Sequence, residues 1–91
     1  MLSAAFLTDA PRVAGSEIWL LEVLPRLAAH GVRPGAFLPD AGPLNELAAR
    51  LEAAGVATHR YAHPHELPAR TAGFDVRALQ VWNPATYTAL L

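Results

Sequence analysis

Residues 2–7 (LSAAFL) are a continuous apolar run of mostly small side chains, closed by Thr8, Asp9, Ala10 and Pro11. A short run bounded by turn residues predicts a strand buried on both faces, as in a parallel sheet. A loop, 10–15, follows. Ser16 is placed to cap a helix, and Glu17 sits in its first turn, where a carboxylate suits the helix dipole. The apolar positions Ile18, Leu21, Leu24 and Ala28 recur at helical spacing, widened by Leu20 and Leu27, and carry the helix to about His30. Gly31 is its expected C′ residue, and Pro25 is expected to bend it.

The same reading continues down the chain. Residues 32–38 predict a second strand with Pro34 near its start. Pro43 opens a second helix that runs to Ala54, with Leu44, Leu47, Ala48 and Leu51 on one face and Gly55 at its end. Residues 56–61 predict a third strand. Residues 62–73 form a loop broken by Pro64 and Pro68, with room for a helical turn over 66–72. Residues 76–81 predict a fourth strand, and Asn83-Pro84 supplies a cap and first residue for a last helix. Alternation of this kind calls for an α/β fold: a Rossmann-like parallel sheet in spatial order 3-2-1-4, with right-handed crossovers and helices on both faces. "NPATYTALL" has a start signal and no stop signal, so the chain is expected to be a fragment cut within an element.

Composition narrows the classes. The 91 residues are 53% hydrophobic and 16% charged, enough for one core and not for two. Net charge is −1 with no basic run, which argues against nucleic acid as a partner. All seven basic residues are arginine. Cysteine is absent, which removes disulfides, thiolate metal sites and cysteine nucleophiles. "MLSAAFL" lacks the basic start of a signal peptide, and no apolar run approaches the roughly 20 residues of a membrane span. A soluble, cytoplasmic chain is expected.

In open α/β sheets, ligands bind beyond the carboxyl ends of the strands. Those ends are 8–15, 39–42, 61–65 and 82–83. At the first, Gly15 and Ser16 lead into a helix whose free N–H groups favour an anion; the alternative is a plain connecting loop. The dinucleotide and P-loop glycine patterns are absent. His59, His63 and His65 lie close in "HRYAHPHE" and could hold zinc, against the simpler reading of a solvated loop; no metal is expected. Trp19 reads as core, and Trp82 as either core or crevice.

The stretches "DAPRVAGSEIWLLEVLPRLAAHGVRPGAFLPDAGPLNELAARLEAAGV" and "FDVRALQVWNPATYTALL" resemble the N-terminal domain of family-four glycosyltransferases of the GT-B architecture. That family commonly shows a strand, a Gly-Gly-x-Glu loop and an apolar helix closed by glycine. The resemblance spans nearly all of residues 1–91 and implies one half of a two-domain enzyme, the half that mainly holds the acceptor. It implies a nucleotide-sugar donor and a sugar or lipid-linked acceptor for the whole enzyme, with the donor-binding domain and its paired glutamates missing from this sequence. Gly15 and Glu17 match the family's loop near donor phosphates and acceptor, and Ala14 replaces the loop's first glycine. Trp82 stands where the family often has histidine, and an indole cannot act as a base.

The candidate substrate- and phosphate-binding residues are therefore Gly15, Ser16, Glu17, Arg12 and Asp9, with Trp82 and Asn83 lining the acceptor side. No catalytic residue and no cofactor is assigned, and the chain is expected to be inactive in sugar transfer alone. The competing reading is a non-catalytic α/β binding or assembly module derived from such an enzyme. Self-association is expected in either case, because the fourth strand would leave an open apolar edge.

Overall fold

The computed structural model describes residues 2–13, 15–81 and 83–90, with Ser16 by its backbone only. Ala14 and Trp82 lie outside the described residues. Four parallel strands, β1 (Leu2–Thr8), β2 (Val32–Pro39), β3 (Ala57–Tyr61) and β4 (Val76–Gln80), form one sheet in the order β3-β2-β1-β4. Helices α1 (Gly15–Leu27) and α2 (Asn45–Ala53) cover one face; α3 (Leu67–Arg70) and α4 (Pro84–Leu90) lie on the other. The fold is the Rossmann-like α/β arrangement that the alternation of elements called for. No helix among the described residues is long and apolar enough to cross a membrane.

Strand alternation divides the core in two. Ala36 and Leu38 of β2 point to the first face and pack with Leu20, Leu24, Leu44, Leu47 and Leu51. Ala5, Leu7 and Phe37 point to the second and pack with Tyr61, Leu67 and Leu90. Gly35 belongs to this second face: a Cβ there would stand 2.7 Å from the Phe74 ring, whose edge meets Phe37 at 5.6 Å between centroids. At the amino end of the sheet, Asp75 receives the Ser3 N–H (2.7 Å) and hydroxyl (3.0 Å) through Oδ2. These two donors hold the Asp75 carboxyl below its usual range.

Of three local expectations, two need correction and one, the end of α1, is met. First, α1 begins at Gly15, so Ser16 lies within the first turn and is not its cap. Second, the helical segment ends as expected: it passes through Pro25 to Leu27, tightens into a 3₁₀ turn (Ala28–His30) and stops at Gly31, which takes φ 79° and donates its N–H to Ala28 C=O. Third, the buried stripe of α1 is Glu17, Leu20 and Leu24, while Ile18 is 52% exposed and Trp19, expected in the core, is 42% exposed. The opposite face carries Glu22 and Arg26, exposed and 3.9 Å apart, while Ile18 and Trp19 lie on the flanks between the two. Glu17, inside the buried stripe, is held by a hydrogen bond from Thr8 of β1. Similarly, α2 is preceded by a 3₁₀ turn (Gly42–Leu44) carrying Pro43, and α3 by another (Pro64–Glu66).

Candidate functional site

The strand order reverses between β1 and β4. The β1–α1 connection leaves toward β2 on one face, and the chain before β4 crosses the other. The two strands stay paired to Thr8 and Gln80, and the segments that follow them, to α1 and to α4, pass to opposite faces and leave a crevice, the position where doubly wound sheets bind ligands. An open space of about 740 Å³ occurs here, lined by Asp9, Ala10, Pro11, Asn83 and Pro84.

Its walls are tied together by short bonds. Asp9 Oδ2 accepts the Asn83 N–H at 2.7 Å, joining the end of β1 to the start of α4. Asn83 in turn caps α4: its Oδ1 accepts the Ala85 N–H at 2.8 Å, and its C=O takes the Tyr87 N–H at 3.1 Å. This is the Asn-Pro helix start read from the sequence.

Below the crevice floor, Thr8 joins both faces of the sheet. Its hydroxyl donates to Glu17 Oε2 at 3.0 Å and accepts the Ala10 N–H at 3.2 Å. Its carbonyl accepts the Tyr61 hydroxyl at 2.6 Å. Tyr61 is buried, and burial, then the Asp9 charge, push its phenol far above its ordinary value, so it stays a neutral donor.

The sequence-derived residues thus separate. Asp9 and Asn83 come together in the crevice wall. Glu17 is fully buried and turned inward to Thr8. Gly15 is exposed, and a Cβ on it would meet nothing within 4 Å; Arg12 is exposed on the loop. Ser16 contributes its backbone to the first turn of α1. Trp82, between β4 and Asn83, lies outside the described residues. Residue type alone does not mark Thr8 or Tyr61 as site residues. The signal available for them was position: each is the last residue of its strand.

Among the described residues lining the crevice there is one carboxylate and no basic side chain. That favours hydroxyl or ammonium donors over phosphate at this spot. The histidines do not converge: His59 stacks on Phe37 at 4.6 Å, His63 and His65 stack on each other at 5.3 Å, and no group of three metal-ligating side chains occurs among the described residues. A second, apolar groove of about 320 Å³ runs between α1 and α2, lined by Val13, Ile18, Leu21, Pro43 and Leu47, with the charged residues Glu46 and Arg50. No family model, no curated protein and no solved structure matches this chain.

Proposed function

We propose that this chain is the acceptor-side half of a glycosyltransferase-like protein, holding a polyhydroxylated acceptor in the β1/β4 crevice. The observation that carries the reading is the Asp9–Asn83 wall at the switch point. It places a carboxylate and a side-chain amide beside an open space, a pairing suited to sugar hydroxyls. The resemblance of the β1–α1 loop to the family-four pattern gives the reaction class. Transfer needs the acceptor hydroxyl and the anomeric carbon held about 3–3.5 Å apart in a closed site, with positive groups on the departing diphosphate. The crevice offers an acid and an amide instead, so the chain binds without transferring. A non-catalytic binding module is the second reading, and the burial of Glu17 favours it, because the residue matched to the family's loop glutamate faces Thr8.

The test is calorimetric titration of the chain with a panel of saccharides and, separately, nucleotide sugars, together with an assay for nucleoside diphosphate release. The reading expects saccharide binding in the millimolar range, weakened by Asp9→Ala, with no diphosphate release. Absence of saccharide binding overturns it, and so does turnover that is lost in Asp9→Ala.

A further inference from the structure

The outer edge of β4 has a polarity that can be worked out from the rest of the sheet. Ser3 turns its N–H and its C=O toward Asp75. Main-chain groups of successive strand residues point to opposite sides, so Ser3, Ala5 and Leu7 face β4 while Ala4, Phe6 and Thr8 face β2. The Thr8 carbonyl, which takes the Tyr61 hydroxyl from the β3 side, agrees. So does Pro34: paired in register with Ala4, it directs its missing N–H away from β1. In a parallel ladder each residue bonds to the two that flank its register partner. Val76, Ala78 and Gln80 are registered with Ala4, Phe6 and Thr8, and so bond back to β1. Arg77 and Leu79 direct their N–H and C=O groups outward, where the sheet has no further strand among the described residues. Val76 (45%) and Leu79 (40%) are exposed.

We propose that this edge pairs with the same edge of a second copy, antiparallel about a two-fold axis at Ala78, to make one continuous sheet. That register sets Arg77 against Leu79 of the other copy on both sides of the axis. All four outward groups of each strand are then bonded. Ala78 meets its counterpart in the close, non-hydrogen-bonded position, where a small side chain fits. The aliphatic stem of Arg77 lies over the exposed Leu79 across the pair. Charge selects this register: shifting the axis one residue to Arg77 sets two guanidinium groups directly opposite each other, which is repulsive. Val76 and Ala78 share the α1 face with Phe6, on whose ring Trp19 leans at 6.4 Å, so the pairing also brings two apolar strips together. A net charge of −1 opposes association only weakly.

The chain has no cysteine, so single-cysteine variants report register cleanly. Under mild oxidation Ala78→Cys is expected to form a disulfide dimer, since the close antiparallel pair brings Cα atoms to about 4.5 Å, within disulfide range. Val76→Cys mixed with Gln80→Cys is expected to form the mixed dimer in preference to either homodimer. Leu79→Pro removes an outward N–H and spares the β1–β4 ladder; it is expected to sediment as a monomer with an unchanged circular dichroism spectrum. The proposal is overturned if the unmodified chain sediments as a monomer at high micromolar concentration. It is equally overturned if Arg77→Cys cross-links faster than Ala78→Cys, or if the Val76 and Gln80 variants couple at random.

Discussion

The Thr8 hydroxyl donates to the Glu17 carboxylate across 3.0 Å, both side chains being buried, and this bond ties the first turn of α1 to the end of β1. Replacing Glu17 with alanine leaves the Thr8 hydroxyl without that acceptor and a void beside it. The expected loss is about 1–3 kcal/mol of stability, read as a shift in urea midpoint. Glu17→Gln keeps an acceptor and is expected to cost under about 1 kcal/mol. Equal losses in the two variants would show that the contact does not orient the helix.

Tyr61 fixes the end of β1 from the other face. Tyr61→Phe keeps the ring and removes the 2.6 Å bond to the Thr8 carbonyl, leaving a buried acceptor unsatisfied. A loss of about 1–3 kcal/mol is expected, with the amide of Ala10 exchanging faster than in the parent. An unchanged melt would mean that the phenol contributes packing alone.

Glycines at two positions behave oppositely. Gly35→Ala drives a Cβ to 2.7 Å from the Phe74 ring and is expected to destabilise by about 1–3 kcal/mol. Truncating Phe74 to leucine in the same chain should recover part of that cost, because neighbouring changes are coupled. Gly15→Ala meets open space in the first turn of a helix and should be neutral or slightly stabilising. Differential scanning calorimetry on the three variants decides the matter.

His59 makes stability depend on pH. Burial, then the Arg70 guanidinium, hold its imidazole below the usual 6.5, with Glu52 opposing. The unfolded chain therefore takes up this proton first as pH falls. The stabilising contribution is whole above about pH 6.5 and is lost as pH drops through 6.5 toward the lower folded value. Urea midpoints at pH 7.5 and 5.5 should fall together with pH in the parent and differ less in His59→Phe. A parent whose midpoint rises on acidification would contradict the sign.

Much of this architecture is legible in the sequence because its punctuation is local. Gly31 and Gly55 take positive φ at the ends of their segments, and Asn83 caps α4 as the Asn-Pro pair indicates. The strand order follows from short crossovers of one hand. What stays illegible is rotational or long-range. The inward turn of Glu17 goes with a partner, Thr8, nine residues earlier, whereas a charged residue in a first turn reads as exposed. The Asp9–Asn83 bond joins residues 74 apart, which no window of sequence displays. The histidines, close in sequence, are separated because His59 is held in β3 against Phe37.

The most direct test of the crevice as the binding site is amide shift mapping by ¹H–¹⁵N NMR during titration with the saccharide panel. Shifts are predicted to concentrate at Asp9, Ala10, Asn83 and Ala85, the amides on and beside the Asp9–Asn83 wall, while those at Leu47 and Arg50 in the α1–α2 groove stay fixed. Shifts confined to that groove, or spread evenly over the exposed surface, would contradict the account.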